Sequence, residues 1–135
     1  MTPTDPYAKT MKGKTGIRRI IKAFGYSIDG FKAAFNSEAA FRQVVYLNTA
    51  LAGLLIFVPF GIVIKMILLL ASALSIIVEL FNTGLEAAID RISDDFHPLS
   101  KVAKDVGSAA QLISLSLLTI LWIMAIIHYL FISLI

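Results

Sequence analysis

"VPFGIVIKMILLLASALSIIVELF", residues 58–81, carries only two charged side chains, Lys65 and Glu79. Its opening Val58-Pro59-Phe60-Gly61 is turn chemistry, because proline and glycine punctuate regular structure. Beyond this turn, Ile62 to Phe81 is apolar throughout except for those two residues. The hydrocarbon core of a bilayer takes roughly 20 residues of helix to cross. Upstream, Val44 to Ile64 is a run of 21 residues without a formal charge. The segment therefore reads as the hinge of a membrane hairpin, with a first span at about 43–58, a tight turn at 59–62 and a second span at about 62–81. Lys65 lies within a turn of the second start and can snorkel to the headgroups. The helical pattern persists to Ile92, so the second helix is expected to outrun the membrane.

Working outward, residues 93–105 form a polar connection, with Pro98 as a breaker. From Val106 to Ile135 there are 30 residues without an acidic side chain, lysine or arginine. They supply a third span at about 108–130, with Trp122, His128 and Tyr129 toward one end as core or interface anchors. Before the first span, the pattern turns amphipathic at Gly16. Ile17, Ile20, Ile21 and Phe24 fall on one side, and Arg18, Arg19 and Lys22 on the other. Gly25 is expected to end this helix. A second runs from about Ser27 to Phe41, with Ile28, Phe31, Ala34, Phe35 and Phe41 apolar. Basic amphipathic helices with aromatic faces lie in the membrane interface. The bland alternative, two soluble helices on a core, lacks a soluble core to pack on. Residues 1–15 are polar and hold two prolines, and are read as a disordered tail. The expected fold is an all-α membrane protein of one domain, 16–135, with N-terminal amphipathic surface helices at about 16–41 and three transmembrane helices.

Composition agrees. The chain is 58% hydrophobic with a mean hydropathy of +0.83, too apolar for an ordinary soluble domain of 135 residues. There is no cysteine, which excludes disulfides and thiolate chemistry. The two histidines, His97 and His128, lack the spacing of a zinc site. Lys9 to Lys22 is basic, but no short apolar region with a small-residue cleavage site comes after it, so no signal peptide is expected. The net charge of +3 is no nucleic-acid signature, since the basic residues flank membrane segments. Eleven of the twelve lysines and arginines lie in 1–42 or 91–104, and only Lys65 lies in the other connection. The positive-inside rule places the N-terminus and the 93–105 connection in the cytoplasm. Three spans then put the C-terminus outside.

Glu79, Asn82, Glu86 and Asp90 are separated by 3, 4 and 4 residues. At about 100° per residue, the other three fall within roughly 60° of Glu79 on a helix. The line begins in apolar sequence and descends to the cytoplasmic level. A carboxylate at membrane depth costs on the order of 3 kcal/mol and usually marks a site facing the bundle interior. A bland reading exists: a protonated Glu79 bonds a neighbouring helix while Glu86 and Asp90 are simply solvated. Four polar residues at helical spacing favour function over that reading. Other polar groups share the level: Arg19 and Lys22, the Glu38-Arg42-Gln43 cluster, and Lys104-Asp105. Carboxylates there could hold Mg²⁺, which takes oxygen ligands and bridges to phosphates, and cations could neutralise those phosphates. That points to phosphoryl transfer at the membrane surface, from a nucleotide to a lipid hydroxyl. No GxxxxGK[ST] loop and no HRD or DFG set is present. A rival of another class is a small channel or scaffold whose acidic line binds cations. Lys104 beside that line argues against a cation path. Small residues at Gly107, Ser108, Ala109 and Ala110 read as close helix packing or as room for a nucleotide.

"RRIIKAFGYSIDGFKAAFNSEAAFRQ" (18–43), "VELFNTGLEAAIDRIS" (78–93) and "AKDVGSAA" (103–110) closely resemble the prokaryotic diacylglycerol kinases, small trimeric enzymes of the bacterial inner membrane. The likeness covers about residues 17–130. It implies a homotrimer with active sites shared between subunits, and ATP-dependent, Mg²⁺-dependent phosphorylation of diacylglycerol to phosphatidic acid. By motif, Glu79 would be the general base, its burial suiting it to take a proton, and Asn82 would position the reacting groups. Glu38 and Glu86 would hold the metal. Lys104, Asp105, Arg19, Tyr26 and the Asp95-Phe96-His97 loop would contact the nucleotide. The lipid would meet Arg19, Ala23, Ser27, Lys32, Phe35, Arg42, Gln43, Glu79 and Ser108. Phe24 stands where the best-known relative has a small residue, and Val44 where it has an acidic one. Both differences bear on lipid preference. "HPLSKVAKD" (97–105) resembles the related undecaprenol kinases more, so another lipid alcohol is the alternative substrate.

The charge asymmetry yields a test of topology. Periplasm-active alkaline phosphatase fused after Phe60 is expected to be active, and fused after His97 to be inactive. The reverse pattern would overturn the assigned orientation.

Overall fold

The computed structural model describes residues 16–93 and 95–133. The expected tail at 1–15 and Asp94 lie outside them. Four helices succeed one another: α1 (Ile17–Ser37), α2 (Ala39–Phe57), α3 (Ile62–Asp90) and α4 (Pro98–Ser133). The chain divides into two compact units, Met1–Ala33 and Ala34–Ile135.

In the first unit, α1 presents Ile17, Ile20, Ile21, Phe24, Ile28 and Phe31 as exposed large apolar side chains. Its basic residues lie between them in sequence, as an interfacial helix requires. One expectation fails here. Gly25 does not end a helix, and α1 runs unbroken from Ile17 to Ser37. An interior glycine weakens a helix by about 1 kcal/mol relative to alanine. It terminates one only when it takes the left-handed conformation. Among the described glycines, Gly16, just before α1, is the one with positive φ, at 87°.

In the second unit α3 is the central member and packs against both α2 and α4. α2, α3 and α4 are each long and apolar enough to cross a membrane. The α2–α3 turn is Val58–Gly61: the Val58 amide closes α2 on Leu54, and the Lys65 amide donates to the Gly61 carbonyl. α3 has 29 residues, or about 43 Å at 1.5 Å per residue. The hydrocarbon core is about 30 Å thick. The helix is thus longer than that thickness, and Glu86 and Asp90 lie in its last turns. Pro98 opens α4 rather than breaking the chain. The His97 ring Nδ1 accepts the Leu99 amide at 3.2 Å, which caps the helix start, and proline suits the first helical position.

Leu55, Phe60, Leu68, Ala71, Leu118, Trp122 and Ala125 form the buried apolar cluster of this unit. Phe60, in the turn, sits 6.1 Å from the Trp122 ring and 6.0 Å from the Tyr129 ring. That aromatic group locks the turn end of the hairpin onto α4. Toward the other end the interior turns polar. Asn48 of α2 donates through Nδ2 to Ser75 Oγ of α3 at 2.8 Å and to its own Val44 carbonyl at 2.9 Å. Hydrogen bonds between membrane helices are worth about 0.6–1.7 kcal/mol. Ser75→Ala is expected to destabilise the fold by about 1 kcal/mol, read as an earlier unfolding midpoint in a denaturing-detergent titration. An unchanged midpoint would show that the Asn48–Ser75 bond does not hold α2 to α3.

Candidate active site

One face of α3 is buried through Leu68, Ser72, Ser75, Glu79 and Thr83. These are spaced by 4, 3, 4 and 4 residues, and Glu79 is the charged member, 3% exposed. Beyond it the acidic line leaves the interior in steps. Asn82 and Glu86 are half-buried and Asp90 is exposed. The shared face expected from the spacing is therefore a gradient, from a dry carboxylate to a wet one.

Asn82 donates through Nδ2 to Glu86 Oε1 at 3.2 Å. Lys104, from the second turn of α4, pairs with Asp90 across the helix interface. The Lys104 ammonium also lies in the field of Glu86 and Glu38, and the Glu79 carboxylate in that of the same two residues. Glu38 stands between α1 and α2 at the N-cap position, in extended backbone (φ −108°, ψ 121°), and its side chain makes no capping bond. Its carboxylate is thus not spent on the helix it precedes. Glu38, Glu79, Asn82, Glu86 and Lys104 form one electrostatic group, with Asp90 at its outer edge.

The other expected residues fall in several places. Asp95, Phe96, His97, Lys104 and Asp105 line one open cleft of about 630 Å³, together with Asp90 and Lys101. Within it Asp105 pairs with Lys101, one turn before it, and Ser93 Oγ accepts the Asp95 amide at 2.9 Å. Arg42 is half-buried. Its guanidinium donates to the Phe35 carbonyl at 2.9 Å and the Asn36 carbonyl at 3.2 Å, satisfying the open end of α1. Phe35 stacks edge-on with Tyr46 at 5.8 Å. Gln43 and Ser108 are exposed, on α2 and α4. Arg19, Ala23, Tyr26, Ser27 and Lys32 all stand exposed on α1, in the first unit. Ser27 Oγ donates to the Ala23 carbonyl there. Val44, one of the two departures in sequence, is buried.

Sequence reasoning passed over Asn48, Ser72, Ser75, Thr83, Gln111 and Ser114, all buried and polar. A signal was there, because Ser72-Ser75-Glu79-Thr83 repeats the 3, 4, 4 spacing of the acidic line.

Among the described residues no three metal-ligating side chains converge. Mg²⁺ keeps several waters and is bound by one or two carboxylates together with substrate phosphates, and Glu38 and Glu86 are carboxylates of the kind such an ion would take.

A family model described as prokaryotic diacylglycerol kinase matches residues 25–126 of this chain. A protein of Pseudomonas aeruginosa named diacylglycerol kinase is 47% identical over 111 residues, covering 82% of this chain and 90% of its own length. One of Helicobacter pylori with the same name is 43% identical over 107 residues, or 79% and 84% of the two chains. That of Escherichia coli K12 is 42% identical over 111 residues, or 80% and 88%. Three apolar helices, a buried carboxylate and these relatives lead to one conclusion: the chain belongs to the prokaryotic diacylglycerol kinase family.

Proposed function

We propose that this chain transfers the γ-phosphate of ATP to the free hydroxyl of diacylglycerol, giving phosphatidic acid and ADP. The reaction takes place at the cytoplasmic face of a bacterial inner membrane, with the N-terminus inside and the C-terminus in the periplasm. The carrying observation is the gradient on α3, where one carboxylate is buried on an apolar helix and the polar groups after it are progressively more exposed. A lipid hydroxyl reaches Glu79 from the bilayer side and a nucleotide reaches Glu86 and Lys104 from the aqueous side.

Glu79 accepts the hydroxyl proton as the lipid oxygen bonds to the γ-phosphorus and the bond to the ADP oxygen breaks. Its burial keeps water from competing as acceptor. Asn82, tied to Glu86, orients the reacting groups. Lys104 offsets negative charge on the phosphates. Glu38 and Glu86 hold Mg²⁺, which when bound neutralises the phosphate oxygens. The cleft at Asp95, Phe96 and His97 takes the nucleoside end, with Asp105, Arg19 and Tyr26 as further nucleotide contacts. Ala23, Ser27, Lys32, Phe35, Arg42, Gln43 and Ser108 belong to the lipid side. The active unit is a homotrimer with sites shared between neighbours. Three helices in one chain leave much apolar surface uncovered, with Ile56, Phe57, Leu70 and Phe81 each more than 70% exposed.

The deciding experiment offers labelled ATP with diacylglycerol or undecaprenol in mixed micelles. Diacylglycerol is expected to take the label preferentially. Preference for undecaprenol would keep the mechanism and change the substrate, and labelling of neither would return a channel or scaffold role. Glu79→Gln is expected to lower turnover by at least about 10²-fold, the usual share of general-base catalysis, while ATP still binds. A folded variant with normal turnover would remove Glu79 from the base role. Glu86→Gln is expected to weaken Mg²⁺-dependent ATP binding by more than about tenfold, a loss that even outer-shell partners of a metal produce. Titration calorimetry showing an unchanged Mg²⁺ dependence would exclude Glu86 as a ligand.

A further inference from the structure

The Asn82 amide is held in an unusual way. Its nitrogen donates to Glu86 Oε1 at 3.2 Å, which fixes which end of the amide points where, because only the NH₂ can donate to a carboxylate. The oxygen therefore points away from Glu86. It is buried and has no hydrogen-bond partner. It lies against the α carbon of Gly107 on α4, so closely that a methyl group there would overlap it. The amide carbon would lie 3.2 Å from that methyl, and Leu85 Cδ2 3.4 Å. No other described glycine has anything within 4 Å of the corresponding position. Among the described glycines, Gly107 alone has its missing side chain replaced by a site residue.

We propose that Gly107 is a positioning residue for the reaction. By lacking a side chain, it opens the one seat on α4 into which the Asn82 amide fits while still bonding Glu86. Packing across a helix pair ordinarily sets distances between helices. Here it sets the rotamer of a polar side chain. Any β carbon at 107 forces the Asn82 side chain to turn, and the turn breaks the Asn82–Glu86 bond. The effect is transmitted through Asn82, so the inference rests on Asn82 having the orienting role proposed above.

A double-mutant cycle tests this. Gly107→Ala is expected to lower kcat by about 10²-fold, the cost of a displacement near 1 Å at a catalytic group, with the KM for ATP changed less than about twofold. In the Asn82→Ala background, where no amide remains to be displaced, the same Gly107→Ala change is expected to alter kcat less than about twofold. Unfolding midpoints provide a reading independent of activity. Gly107→Ala alone lowers the midpoint, and in the Asn82→Ala background it leaves the midpoint unchanged or raises it, alanine being the better helix former. An equal loss of kcat in both backgrounds would overturn the proposal, as would normal turnover of Gly107→Ala. Misfolding of Gly107→Ala that Asn82→Ala relieves would support it. Misfolding in both backgrounds would overturn it, because the glycine would then be required by something other than Asn82. Failure of the proposed function itself is separate: it would appear as no transfer of label from ATP to diacylglycerol by the unmodified protein.

Discussion

A carboxylate kept nearly dry on an apolar helix is a costly feature of this protein, and the architecture is arranged around it. Placing an ionisable group at membrane depth costs on the order of 3 kcal/mol. Glu79 is 3% exposed and sits on the central helix, the one that touches both α2 and α4. No other helix of the second unit could shield it from two sides. The neighbouring interior positions are graded to match. Ser75 and Asn48 bond each other on the deep side, and Asn82 and Glu86 bond each other on the shallow side. The interior thus passes from apolar through neutral polar to charged along a single helix face.

Much of this architecture was legible from residue order. Three spans emerged from uncharged runs, and their hairpin from Val58-Pro59-Phe60-Gly61, because a bilayer leaves a chain few ways to satisfy its backbone. The acidic line was legible because helical spacing converts directly into a shared face. Gly25 misled, since glycine in sequence does not reveal whether the backbone will go left-handed. At Gly25 the helix simply continues, and Gly16 takes that conformation instead.

The hidden features depend on contacts between elements. Nothing in the local sequence says that Arg42 spends its guanidinium on the end of α1, or that His97 caps α4. The pairing of Lys104 with Asp90 rather than with its neighbour Asp105 is equally a product of how α3 and α4 are aligned. Gly107 is the clearest instance. In sequence it is one of four small residues in a row, and only the approach of Asn82 distinguishes it from the other three.

The unbroken course of α3 has a metric consequence. Glu79 and Asp90 lie on one rigid rod, and eleven residues of helix separate their α carbons by about 17 Å. In the proposed reaction the rod works as a ruler between Glu79 as base and the cleft that Asp90 lines. A phosphate donor that touches both ends must be long and lie stretched along the helix, its transferred group innermost. Pyrophosphate is too short to span the interval, and a nucleoside triphosphate is not. In the proposed reaction, donor length is then itself a criterion of selection.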